Sequence, residues 1–140
     1  LCRKAGYSLA RRSSNDSVEQ ADILLGDSMG ELMTFFGACD IAFVGGSLVP
    51  TGGHNMIEPA AWGVPILTGP HLFNFAEASR LLVEAEAMQA CDNADSLAQH
   101  CIDLLNNQQQ RQTMGDAGVN VAEDNRGALD RLLAVIANSL

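Results

Sequence analysis

Short apolar runs alternate along this chain with segments whose apolar residues recur every three or four positions. Residues 41–44 (Ile-Ala-Phe-Val) and 64–67 (Val-Pro-Ile-Leu) are apolar enough to predict strands covered on both faces of a parallel sheet. Residues 21–25 predict another strand, ended by Gly26 and Asp27, and residues 7–10 a shorter one. Three-and-four spacing of Leu32, Phe35, Phe36 and Cys39 predicts a helix over 29–38, with Ser28 and Glu31 as a capping box. A short helix should run to Trp62 and stop at Gly63.

Further on, residues 75–86 predict a helix with Ala78, Leu81, Leu82 and Ala85 inward, and 87–91 a short strand. A helix capped by Asp95 or Ser96 should reach Leu105, with Leu97, Cys101, Leu104 and Leu105 facing the core. Asn106 and Asn107 break it, and a helix over 108–122 is interrupted by Gly115 and Gly118. Residues 126–137 predict a closing helix with Leu129, Leu132, Leu133 and Ile136 on one face. Residues 1–6 read as a helix tail and 11–20 as a polar loop.

About four strands alternating with helices imply right-handed crossovers and an α/β, Rossmann-like three-layer domain around a parallel sheet. Ligands in such sheets bind beyond the carboxyl ends of the strands. Three strand-to-helix junctions fall there: 27–31, 45–58 and 69–74.

Composition narrows what those junctions can hold. A chain of 140 residues predicts one domain, and 47% hydrophobic with 18% charged residues predicts a globular one. The net charge of -9 argues against nucleic acid, yet leaves room for one anion held by backbone amides. Cys2, Cys39, Cys91 and Cys101 have no CxxC spacing; Cys39 and Cys101 fall on apolar positions and predict buried free thiols in a reducing setting. His54, His71 and His100 are too scattered for a metal site, and no metal or cofactor is expected; His100 reads as solvated. No apolar run approaches the ~20 residues of a membrane span. The opening on Leu1 rather than a methionine predicts a piece of something longer.

At the central junction, Gly45, Gly46, Gly52 and Gly53 free the backbone to approach a ligand, and Ser47, Thr51 and Asn55 offer hydrogen-bonding groups. The loop lacks the P-loop ending and the GxGxxG spacing, which disfavours a kinase or an NAD enzyme. Glu58 has two readings: a partner of Asn55 in a helix cap, or a carboxylate accepting from ribose hydroxyls. His54 either donates to a phosphate or bonds a backbone carbonyl. At the first junction Ser28, Met29, Gly30 and Glu31 only cap a helix, or backbone groups around Gly30, Glu31 and Leu32 reach a base edge. At the third, Phe73 and Phe75 read as packing residues, while Asn74 caps a helix or touches a sugar.

Together these motifs resemble the C-terminal half of the Kdo transferases, which add 3-deoxy-D-manno-octulosonic acid to lipid A. The run Asp27-Ser28-Met29-Gly30-Glu31-Leu32 is similar to one family motif, and Phe43 to Pro50 with Gly52-Gly53-His54-Asn55 and Glu58-Pro59-Ala60-Ala61 to a second. Gly63-Val64-Pro65, Gly69-Pro70-His71 and Phe73-Asn74-Phe75 are similar to a third. The resemblance implies the C-terminal domain of a GT-B glycosyltransferase, binding the nucleotide of CMP-Kdo. It places cytosine near Gly30, Glu31 and Leu32, phosphate near Ser47, Gly52, Gly53 and Asn55, and ribose at Glu58, with Met29, His54 and Asn74 also donor-binding.

The implied acceptor is a lipid A precursor, held by an N-terminal domain that would carry the general base and the membrane association at the cytoplasmic face of the bacterial inner membrane. This chain alone is expected to be soluble and without turnover. Two other readings stay open: another nucleotide-sugar enzyme of this fold, transferase or epimerase, and a non-catalytic interaction domain with a structural glycine loop.

Overall fold

The computed structural model describes residues 1–137, with side chains described as far as Arg126. The chain divides into two compact units, Leu1–Phe35 and Phe36–Leu140, each described here by itself. In the first, a 3-10 turn over Cys2–Ala5 is closed by Gly6 at φ 89°, a conformation that costs glycine nothing. Strands β1 (Leu9–Arg11) and β2 (Ile23–Leu25) pair in parallel, Leu9 opposite Ile23. Between them Arg12–Ser14 forms a second 3-10 turn within the expected polar loop. Helix α1 (Leu32–Phe36) spans the boundary between the units.

The helix expected over 29–38 is therefore a short turn and a half, and Ser28 does not cap it. The amides of Thr34 and Phe35 return to the Glu31 carbonyl, so the helix begins at Glu31, and Ser28 instead bonds the Glu31 carboxylate. Leu32, expected inward, is 54% exposed.

The second unit is a layered α/β body. Strands β3 (Ala42–Val44), β4 (Ile66–Thr68) and β5 (Met88–Ala90) form a parallel sheet in that order. Helix α2 (Ile57–Ala61) connects the first two, and α3 (Ala76–Glu84) the second two. Helices α4 (Ala94–Asn106) and α5 (Gln108–Ala137) follow. Strand alternation sends Ile66 and Leu67 into different clusters. Ile66 packs with Val44, Met56, Ala60, Leu82, Met88 and Ala122, while Leu67 packs with Cys91, Leu104 and Met114. Helices thus contribute to the core through both faces, as the doubly wound expectation requires.

Among the described residues, two sheets with five strands replace the single sheet of about four strands that is expected. Phe43 was expected to be covered, but β3 is an edge strand of its sheet and Phe43 is 41% exposed. Cys39 lies beyond the end of α1 and is exposed, whereas Cys91 is buried and burial raises its thiol pKa. Leu105 points outward at 57% exposure, and α4 is capped by Asn93, whose Oδ1 accepts from the Asp95 and Ser96 amides. His100 is half-buried against Gln89 rather than free in solvent.

The expected break near Gly115 and Gly118 is absent, because α5 is continuous from Gln108. A Cβ on Gly115 would strike the Gly63 carbonyl, and one on Gly118 would lie 3.4 Å from Ala60. Those glycines let α5 lie directly on α2, so packing overrides their poor helix propensity. Gly63 ends α2 as expected: at φ 67° it lets the Gly63 and Val64 amides return to the Ala60 and Pro59 carbonyls. The apolar face expected of Leu129, Leu132, Leu133 and Ile136 lies outside the described side chains.

Candidate functional site

The loop after β3 closes on itself and is tied to the loop after β4. Gly46 sits at φ 70°, and its carbonyl accepts from the Gly53 amide at 2.9 Å and from Thr51 Oγ1 at 2.6 Å. Gly52 and Gly53 also adopt positive φ, 96° and 74°, which bends the chain back over Met56 and Leu72. Gly46, Gly52 and Gly53, three of the four glycines, therefore build a compact ring.

Ser47 fastens the base of that ring. Its hydroxyl donates to the Val44 carbonyl at 2.5 Å and accepts from the Gly69 amide at 2.8 Å. Its carbonyl accepts from the His71 amide at 3.0 Å. A Cβ on Gly69 would collide with the Ser47 backbone, so only glycine admits this approach. Ser47 is fully buried, and its side chain, expected to meet a phosphate, reaches no solvent. A buried hydroxyl with both partners made is a structural clasp.

The rim carries the accessible chemistry. His54 is exposed, and its ring borders Gly46. Asn55 Oδ1 accepts from the Ile57 amide at 3.0 Å, and its Nδ2 donates to Glu58 Oε1 at 3.2 Å. Asn55 and Glu58 are both half-buried. The N-cap position of α2 is Met56, with no side-chain bond, so the expected Asn55 cap is an Asx turn one residue earlier. Glu58 keeps acceptor capacity on its carboxylate beyond the Asn55 bond. Asn74 Nδ2 donates to the Thr51 carbonyl at 3.1 Å, a contact the sequence reading did not foresee. No lysine or arginine lies between Arg12 and Arg80, so anion binding in this loop would rest on amides, hydroxyls and His54.

The first junction, in the other unit, is built from charge. Asp27 accepts from the Ser13 amide and hydroxyl at 2.9 and 2.8 Å and from Arg11 at 2.6 Å, which together hold its carboxyl well below the usual aspartate range. Glu31 is bonded by Ser28 and paired with Arg12 at 2.6 Å, and those partners lower its pKa too. Gly30 sits at φ 82° with open space where a Cβ would go. Met29 is 98% exposed beside it, and Leu32 is exposed as well. Sequence reasoning missed Arg11, Arg12 and Ser13, whose role shows only when the turn folds back onto Asp27.

The structure thus brings the second and third junctions together, while the first belongs to the other unit. Among the described residues no group of three or more His, Cys, Asp or Glu could hold a metal ion, and no helix is long and apolar enough to cross a membrane.

Comparison with known proteins agrees with this architecture. A family model described as "Glycosyl transferases group 1" matches residues 8–121. The 3-deoxy-D-manno-octulosonic acid transferase of Haemophilus influenzae is 47% identical over 97% of this chain, which covers 32% of that protein. The enzyme of the same name from Bordetella pertussis is 37% identical over the same share of each. This chain therefore spans about a third of the length of these relatives. The crystal structure of the C-terminal CMP-Kdo binding domain of WaaA from Acinetobacter baumannii superposes with a TM-score of 0.82 at 30% identity, covering 86% of this chain and 63% of that one. The chain belongs to the group 1 glycosyl transferases.

Proposed function

We propose that this chain is the donor-binding part of a longer, two-domain Kdo transferase, and that both units belong to the domain that holds CMP-Kdo. The carrying observation is the likeness to the CMP-Kdo binding domain of WaaA. The geometry supports it: two loops meet at the carboxyl ends of adjacent parallel strands, with a half-buried carboxylate at the rim.

In this reading Glu58 accepts from the ribose hydroxyls, while His54, Asn55 and the turn at Gly52 lie beside the phosphate, the Gly53 amide staying on the Gly46 carbonyl. Backbone groups around Met29, Gly30, Glu31 and Leu32 meet cytosine. Ser47 holds the loop instead of touching the ligand. The acceptor, a lipid A precursor, would be bound by a second domain at the cytoplasmic face of the inner membrane. A base from that domain would deprotonate the acceptor hydroxyl for one inverting attack on the anomeric carbon. CMP then leaves, its developing charge met by the loop.

An NMR titration of the 140-residue chain with CMP and with UDP tests the reading. CMP should move the amides of residues 45–58 at lower concentration than UDP does. The opposite preference would overturn it, and no shift with either nucleotide would favour a structural loop.

A further inference from the structure

The ring after β3 is fastened at its base by Ser47 and at its outer edge by Asn74. The second fastening joins groups 23 residues apart through one hydrogen bond, Asn74 Nδ2 to the Thr51 carbonyl. It is shaped on both sides. Gly52 lies so close beneath Asn74 that a Cβ there would strike the carboxamide and come within 2.7 Å of Phe73 Cε2.

Thr51 is in turn bound inward, because its hydroxyl and the Gly53 amide share the Gly46 carbonyl. Whatever holds the Thr51 carbonyl therefore holds the whole turn. Asn74 has firm backing for this: it sits in the 3-10 turn Phe73–Phe75, and Ser79 Oγ of α3 donates to the Phe75 carbonyl at 2.7 Å. The line of support runs from α3 through Asn74 into the glycine turn.

We propose that Asn74 is a positioning residue for nucleotide binding. It acts on the ligand through the Thr51–Gly53 backbone, so that the loop after β4 sets the affinity of the loop after β3. Preorganising the turn removes an ordering cost that binding would otherwise bear. The inference rests on the nucleotide reading above.

The test compares the 140-residue chain with Asn74→Ala and with Arg80→Ala. Arg80 pairs with Glu77 and Glu84 on the exposed side of α3, so its variant perturbs the same helix while leaving the Asn74–Thr51 hydrogen bond in place. Asn74→Ala should speed hydrogen exchange at the Gly52 and Gly53 amides and weaken CMP binding about three- to tenfold, the worth of one hydrogen bond. Its melting temperature should match that of Arg80→Ala, which should leave exchange and binding as in the parent. Unchanged CMP affinity in Asn74→Ala would overturn the proposal, as would weaker binding with unchanged exchange, which would make Asn74 a direct contact. Failure of the parent chain to bind CMP would instead sink the nucleotide reading itself, and the positioning role with it.

Discussion

The glycine ring of the second unit and the acidic cluster of the first are both strand-to-helix junctions, yet they are held by opposite means. The ring is held by neutral hydrogen bonds with backbone partners, several of them buried. The cluster around Asp27 and Glu31 is held by hydrogen bonds to charged carboxylates, from Ser13 and Ser28 and from Arg11 and Arg12, whose guanidinium groups are about half exposed. Exposed ion pairs contribute little to stability and are screened by salt, whereas an unmade buried hydrogen bond costs the full desolvation of the group left behind. The ring should therefore fail through mutation of its packing, and the cluster through pH and salt.

The largest effect should come from Gly69→Ala. Backbone, not a flexible side chain, lies where the new Cβ would go, so the loops after β3 and β4 must part. A loss of about 3 kcal/mol or more in urea unfolding is expected; a loss below 1 would show that the two loops separate easily. Ser47→Ala ranks next, at about 1–3 kcal/mol, because it strands the buried Gly69 amide. A fully additive double mutant with Asn74→Ala would show that the base and edge fastenings act independently.

Thr68→Val tests the interior beside the ring in the other direction. Thr68 Oγ1 is fully buried without a hydrogen-bond partner among the described residues, so removing it should stabilise by about 1 kcal/mol. A destabilised variant would mean that the hydroxyl is satisfied in solution, by water for example.

The smallest effect belongs to the cluster. The native carboxyl of Asp27 is held below its unfolded value by Ser13 and Arg11. Its contribution is thus complete above about pH 4, the unfolded aspartate value, and is lost as pH falls through the lower native one. The Asp27 carboxyl resonance should not titrate near pH 4, and Asp27→Asn should lower stability a little at pH 7 and converge with the parent as pH falls through the native value, which flattens the acid limb of the stability curve.

Much of the ring was legible in the chain because glycines at turns have a local cause, positive φ, that leaves a mark in sequence. Gly63 as a helix stop was legible for the same reason. The role of Ser47 was not, since its partner Gly69 is 22 residues away and only the parallel pairing of β3 with β4 brings them together. Gly115 and Gly118 were misread as breakers because their reason is tertiary: they admit α2. Cys39 was assigned to a helical face that ends three residues before it. Leu105 shares the apolar period of α4 without sharing its buried side, for Leu104 takes that place.

The contact between α5 and the end of α2 has a bearing on change over time. Where Gly115 meets Gly63, main chain lies on main chain, and no alternative side chain can be traded for the one present. That floor should tolerate almost no drift. The exposed outer turn at Val49 and Pro50 has no such neighbour pressing on it and is free to vary in length and residue. Change in the second unit would thus begin at that outer turn, with the contact between α5 and α2 left as inherited.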